Sequence, residues 1–393
     1  MRRLRYARLA CRAMLVCALT LRADDTRAQG AQAMSGQAGF QSITSAAGLV
    51  YVSGVTPRSE VLAGDIAAQL GDVLRQIDEK LTAQGSSLAR AVSLQIQLRE
   101  ASDFAAMNAA YAPFFKADPP ARTTIVSPPE TPRARVEISA IAAAAGASRE
   151  TVRPAGWAAS PNPYSYGVKT GDLVFLSGLV PRDGRTNTVV AGDLAAQADV
   201  IFQNAADILE AAGLGLTDVV NAKVFVTDVA LVASMNEAYR KHMPTPRPSR
   251  ATAIAALMNP QYQVEMTFVA SAGKKVVDRP GSEPQPDATL QQGIALGSRV
   301  FVSGMLGADF TASVDAQTQS IVERLTAVLT AAGYDWSHVR EATLYVTDAA
   351  HAAPARAAFR KAIGRDLPAG ATLVTGLVVG EADVEIMVSA AKP

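Results

Sequence analysis

Apolar positions along the chain fall into short runs separated by polar breaks. Leu49, Tyr51 and the valines beside them make a run that ends at Ser53-Gly54, and Pro57 bars a simple extension, which predicts a strand. Asp65 then offers an N-cap to a helix that carries Ile66, Leu70, Val73, Leu74, Ile77 and Leu81 on one face and stops before Gly85. Val92, Leu94, Ile96 and Leu98 alternate as a strand. Ser102 or Asp103 opens a second helix through Phe104, Met107 and Tyr111 to Phe115. Two closing strands are predicted, one after Arg122 and one around Val136-Glu137-Ile138.

The same order returns twice. Val174-Phe175-Leu176 leads to Ser177-Gly178, a helix is predicted from Asp193 to Ala212, and a strand over Ala222 to Val226 is followed by Thr227-Asp228. The third copy has Val300-Phe301-Val302 before Ser303-Gly304, a helix from Asp315 to Ala332 and a strand from Ala342 to Val346. The three serines lie 124 and 126 residues apart and the glutamates Glu137, Glu265 and Glu385 lie 128 and 120 apart, so the chain is a threefold internal repeat. The repeats span 36–145, 160–273 and 287–393, with polar, proline-rich linkers at Gly146 to Pro163 and Lys274 to Asp287. A β-β-α-β-α-β-β order in each unit predicts an α+β fold with helices on one face of a sheet.

Composition agrees. A chain of 393 residues, 49% hydrophobic and 19% charged, exceeds one ordinary core, and three units of about 120 residues match the usual domain size. The first 28 residues differ from the rest: Arg2, Arg3, Arg5, Arg8 and Arg12 precede an apolar run from Ala13 to Leu21, followed by small residues suited to cleavage. This is the grammar of a signal peptide, and the run is too short to span a bilayer, so a periplasmic or secreted protein is expected with no membrane attachment after the leader is removed. That leader holds seven arginines and two aspartates, leaving 30 basic and 34 acidic side chains in the remainder. A slightly acidic protein offers no basic footprint for nucleic acid. Both cysteines, Cys11 and Cys17, lie in the leader, so no thiol chemistry is expected, and His242, His338 and His351 have no metal-ligand spacing. No metal and no cofactor are expected.

Within strands that otherwise read as buried, Arg122, Arg250, Glu137 and Glu265 need a reason, because an unpaired buried charge is costly. Either arginine and glutamate pair with each other, or they frame a site for a small anion. The Arg-to-Glu interval is 15 residues in each repeat, counting Gly370 to Glu385 in the third, as a hairpin with both positions on adjacent strands would give.

The strand ending in Ser-Gly, the Val224-Phe225-Val226-Thr227-Asp228 string, Asn-x-x-Tyr at Asn108 to Tyr111 and Asn236 to Tyr239, Pro-x-Arg at Arg122 and Arg250, and Val-Glu-Ile or its variant resemble the Rid family of reactive intermediate deaminases. These are also called YjgF-type proteins and were historically labelled endoribonuclease L-PSP. The resemblance covers nearly all the chain after the leader, three times. It implies a chorismate-mutase-like fold that normally assembles as a homotrimer with sites between subunits. Here the three subunits are fused, so a monomer with internal pseudo-threefold symmetry is expected.

By the same resemblance, the ligand positions of repeat 2 fall on Tyr164, Ser177 with Gly178, Asn236, Arg250 and Glu265, an intact set. Repeat 1 keeps Ser53 with Gly54, Asn108, Arg122 and Glu137 but has Phe40 in place of the tyrosine. Repeat 3 keeps Ser303 and Glu385, with Leu290, Arg356 and Gly370 replacing tyrosine, asparagine and arginine. Sites are therefore expected around Arg250 and Arg122, with repeat 3 degenerate. The implied activity is hydrolysis of a 2-imino or enamine acid to a 2-keto acid and ammonia, with arginine holding the carboxylate as a planar fork and glutamate positioning water. The alternative is a non-catalytic periplasmic module that binds small carboxylates. RNA cleavage finds no basic groove and no interleaved stacking aromatics to support it.

Overall fold

The computed structural model describes residues 39–115, 117–281 and 288–393. The expected signal peptide, residues 1–28, lies outside the described residues. Among the described residues, no helix is long and apolar enough to cross a membrane.

Repeat 1 consists of β1 (Ile43–Ala46), β2 (Leu49–Val55), α1 (Ile66–Thr82), β3 (Ala91–Leu98), α2 (Phe104–Tyr111), β4 (Ala121–Val126) and β5 (Val136–Ala143). Repeat 2 contributes β7 (Gly167–Thr170), β8 (Leu173–Leu176), α3 (Leu194–Ala211), β9 (Val219–Val226), α4 (Val232–His242), β10 (Ser249–Ile254) and β11 (Val264–Ala270). Repeat 3 contributes β13 (Gly293–Leu296), β14 (Arg299–Leu306), α5 (Val314–Ala331), β15 (Val339–Val346), α6 (Ala349–Ile363), β16 (Ala369–Val374), the short β17 (Gly376–Leu377) and β18 (Val384–Ala391). The predicted order holds in every copy.

The linkers do more than connect. β6 (Glu150–Val152) pairs with β7, and β12 (Lys275–Val277) pairs with β13, so each adds an edge strand to the sheet that follows it.

Each sheet repeats one topology, β1-β2-β5-β3-β4 in the first. β4 runs parallel to β3 through the α2 crossover, while β5 runs antiparallel to β3 on its other side. The Arg and Glu strands are therefore separated by β3, and the hairpin inferred from the constant interval is not present. The Ser-Gly pair is likewise not the end of β2: the register slips between Val52 and Val55, which face Ala140 and Ile138, making a β-bulge at Ser53-Gly54. β14 has the same slip between Val302 and Met305.

One face of each sheet packs on its own helices; the helix side of repeat 1 buries Leu70, Leu74, Ile77, Leu94, Ile96 and Ile138. The opposite faces pack on one another. Leu49 and Tyr51 of repeat 1, Phe175 and Val220 of repeat 2 and Ile294 and Phe301 of repeat 3 share one buried cluster. Between the inner faces Ser93, Gln95, Thr123, Lys223, Thr267 and Thr343 line a cavity of about 70 Å³, so strands such as β3 alternate apolar and polar positions although both faces are covered.

Three matching hydrogen bonds close the ring. The Arg122 N–H donates to Ser177 Oγ at 2.9 Å, the Arg250 N–H to Ser303 Oγ at 2.8 Å, and the Gly370 N–H to Ser53 Oγ at 2.9 Å. Repeat 1 leans on 2, 2 on 3, and 3 back on 1, within a single chain.

Candidate functional site: clefts between repeats

Each serine hydroxyl also donates to a carbonyl twelve residues earlier, Gln41, Ser165 or Gln291, at 2.5 to 2.6 Å. Its proton and one lone pair are committed to backbone. Ser177 and Ser303 therefore position the arginine strands of the preceding repeats, and Ser53 positions the strand of Gly370.

The following glycine serves the glutamate. A Cβ at Gly178 would fall 1.8 Å from Oε1 of Glu265, one at Gly54 would fall 2.0 Å from Glu137, and one at Gly304 would fall 1.7 Å from Glu385. The bulge thus makes a seat in which each glutamate carboxyl lies against backbone. Burial pushes the pKa of all three glutamates up to about 8. For Glu265, the Thr124 backbone N–H and the Arg122 charge oppose that rise; for Glu385, the Arg250 charge does so.

Function is thus shared across interfaces. Glu265 of repeat 2 faces Arg122 of repeat 1, and Glu385 of repeat 3 faces Arg250 of repeat 2. The set that looked intact in repeat 2 is divided: Tyr164, Ser177, Gly178 and Glu265 join Arg122, while Asn236 stays with Arg250. Among the described residues, neither Arg122–Glu137 nor Arg250–Glu265 forms an ion pair, so an internal pair within one repeat does not explain these charges.

The cleft between repeats 1 and 2 is open, with a volume of about 440 Å³, and Arg122, Tyr164, Gly178 and Glu265 line it. Arg122 is 4% exposed, yet its Nη1 has no hydrogen-bond partner. Its guanidinium carbon lies 5.1 Å from the Tyr111 ring, 5.6 Å from Tyr164 and 5.7 Å from Phe104, so three rings enclose the cation. Burial lowers its pKa, with Tyr111, Tyr164 and Glu265 opposing. A charge held this way, with a free donor, is incomplete without an anion. Asn108 donates to Asn162 Oδ1 at 3.2 Å, and its own Oδ1 is buried without a partner.

The cleft between repeats 2 and 3 engages its arginine further, although Arg250 Nε is buried without a hydrogen-bond partner. Arg250 Nη2 donates to Asn236 Oδ1 at 2.8 Å and to Thr289 Oγ1 at 3.1 Å, and its guanidinium sits 4.6 Å from the Tyr239 ring centre.

In the cleft between repeats 3 and 1, Gly370 leaves the arginine position empty of side chain and the Phe40 ring closes over it. Glu137 accepts from Gln97 Nε2 at 3.3 Å.

The endoribonuclease L-PSP family model matches residues 30–144, 157–272 and 280–392. The chain belongs to this family, the Rid family, as three tandem repeats. A RutC family protein of Saccharolobus solfataricus is 36% identical over 108 residues, 28% of this chain and 86% of its own. The 3-aminoacrylate deaminase RutC of Acinetobacter baylyi is 31% identical over 122 residues, 31% of this chain and 97% of its own. The crystal structure of RidA from an Antarctic Psychrobacter has 33% identity and a TM-score of 0.30, covering 31% of this chain and 98% of that one. By the family-model match and the lengths of the two relatives, one Rid unit corresponds to one repeat.

Sequence reasoning missed several walls of the open Rid cleft. Arg182, Asn162, Tyr262 and Met258 line it, and Arg182 Nη1 donates to Tyr262 Oη at 3.1 Å. A signal existed, because Pro-Arg follows Ser-Gly in both Pro57-Arg58 and Pro181-Arg182. Arg58, however, turns to Asp72 and Glu79 on α1 at 3.1 and 2.7 Å, so the shared dipeptide does not mean a shared role.

Proposed function

We propose that the cleft between repeats 1 and 2 hydrolyses a small 2-imino acid, or the enamine that tautomerises to it, giving a 2-keto acid and ammonia. The observation that carries this reading is Arg122: a buried, ring-enclosed guanidinium with a free donor, opening into the same cleft as a buried carboxyl. The arginine fork binds the substrate carboxylate and so fixes where the C=N carbon stands.

Glu265, with its pKa raised to about 8, exchanges protons near neutrality. As carboxylate it takes a proton from water while the oxygen attacks the C=N carbon. It then returns that proton to the nitrogen, and as the C–N bond breaks and ammonia leaves, it takes the hydroxyl proton so that the carbonyl forms, and passes it to ammonia. The iminium carboxylate and one water become the 2-keto acid and ammonium, with no redox change. Relatives named as deaminases support the reaction class. A periplasmic or secreted setting is part of the proposal, on the strength of the arginine-rich, apolar start of the chain.

The test is ammonia release from freshly generated 2-iminobutyrate, comparing the mature chain with Arg122→Ala, Glu265→Gln and Arg250→Ala. Acceleration that is lost with the first two and largely kept with the third supports the assignment. No acceleration over spontaneous hydrolysis, with 2-oxobutyrate still binding in an Arg122-dependent way, would make the cleft a carboxylate-binding module.

A further inference from the structure

The cleft between repeats 3 and 1 has lost the strand arginine, yet a guanidinium still reaches it. Arg356 on α6 stands where Asn108 and Asn236 stand in the other repeats, and it is 7% exposed. Its Nη1 donates to Thr372 Oγ1 at 2.9 Å. The strand position could not simply be refilled, because a Cβ on Gly370 would lie 2.1 Å from the Ala342 carbonyl oxygen and 2.7 Å from the Phe40 ring. The cation is therefore supplied by the helix instead.

What Arg356 holds is a carboxylate. Nη1 donates to Glu130 Oε1 at 2.5 Å and Nη2 to Oε2 at 2.9 Å, the two-pronged geometry with which a guanidinium takes a free carboxylate. Glu130 comes from repeat 1, 226 residues away in sequence. At the equivalent position of repeat 2, 128 residues on, stands Met258, which lines the open cleft. The loop that presents an apolar wall to the open cleft presents an acid to this one. Glu137 lies in the same place over Gly54 as Glu265 does over Gly178, and Glu130 and Arg356 both act on its charge. Arginine, seated glutamate and carboxylate are all present, the carboxylate being the protein's own.

We propose that the cleft between repeats 3 and 1 is a second small-carboxylate site, occupied by the chain's own Glu130. Glu130 is 23% exposed against 7% for Arg356, so the acid sits toward the mouth and the cation deeper. Tethering gives the internal carboxylate a high effective concentration, which keeps free monocarboxylates out. The inference does not depend on turnover in the open cleft.

The experiment places every variant in an Arg122→Ala background, so the result stands apart from the open cleft. Acetate and 2-oxobutyrate are titrated calorimetrically, and thermal unfolding is followed in acetate and in chloride at equal ionic strength. Glu130→Ala is expected to gain one equivalent of carboxylate binding, at least about tenfold tighter than its parent. Acetate is expected to raise its Tm where chloride does not, and adding Arg356→Met is expected to abolish both gains. A folded Glu130→Ala chain that binds no more carboxylate than its parent overturns the proposal, as does a gain that survives Arg356→Met, which would leave Glu130 and Arg356 a structural ion pair. If Glu130→Ala unfolds, recovery in acetate but not chloride supports the site, and failure of acetate to restore it overturns the site. Glu130→Gln, which keeps the shape but not the charge, is expected to bind acetate more weakly than Glu130→Ala.

Discussion

The open cleft between repeats 1 and 2 and the plugged cleft between repeats 3 and 1 share one frame. Each has a bulged Ser-Gly, a serine that staples the preceding repeat's strand, and a glutamate seated over glycine. They differ in where the cation comes from and what answers it. Arg122 rises from the strand, is ringed by Phe104, Tyr111 and Tyr164, and keeps a free donor. Arg356 comes from the helix and is already closed by Glu130. The lesson concerns fusion: a homotrimer must repeat one interface three times, whereas a single chain lets each interface change alone. The Arg250 cleft lies between the two, its cation met by neutral Asn236 and Thr289.

Breaking the open cleft gives the largest effects. Glu265→Gln is expected to lower kcat for 2-iminobutyrate by roughly 10² to 10⁴ while leaving 2-oxobutyrate affinity nearly unchanged. The wild-type rate should climb with pH and level off above about 8, where Glu265 is ionised, and the variant should lose that rise. Arg122→Ala should cost roughly 10² to 10³ in kcat/KM, against less than about tenfold for Arg250→Ala, because Arg250 Nη2 is already taken by Asn236 and Thr289.

A glycine pair sharpens the comparison without deleting any functional atom. Gly178→Ala puts a methyl 1.8 Å from the Glu265 oxygen and should cost about 10² in turnover by displacing the carboxyl. Gly54→Ala creates the same clash with Glu137 at 2.0 Å and should leave turnover intact while lowering Tm. Equal losses of turnover in the two variants would sink the distinction between clefts.

Stability should change more gently. Glu137, Glu265 and Glu385 have pKa values near 8 when folded against an ordinary 4.5. Between those values the unfolded chain has released protons that the folded chain still holds, so stability falls as pH rises from about 4.5 to about 8. Thermal unfolding at pH 5 and pH 8 should show that decline, and glutamine at each glutamate should flatten part of it. The smallest expected effect is none: sedimentation should give the mass of one chain at all concentrations, since the ring closes internally.

Much of the fold was legible because periodicity reports burial. The order of elements, the three repeats and the caps at Asp65 and Asp193 follow from local pattern, and both caps form. One helix start differs: Ser313 caps α5 through the Ala316 N–H, two residues before the expected Asp315, because a hydroxyl in extended backbone reaches the free N–H groups of the first turn. The candidate site was legible as a set of residue types and opaque as an arrangement. Gly178 read as a ligand position beside Ser177, yet it is the seat of a carboxyl 87 positions later. Arg356 read as a lost asparagine, yet it is the cation of its own cleft.

The sequence by itself determined three α+β Rid repeats, their cores and the identity of the polar residues that interrupt them, since these depend on spacing along one strand or helix. Tertiary structure alone decided which arginine meets which glutamate. Parallel pairing of β3 with β4 carries the arginine strand to the sheet edge, where it meets the next repeat's bulge and not its own glutamate. Partnership across an interface leaves no interval in the chain to read, because the distance that matters is between repeats.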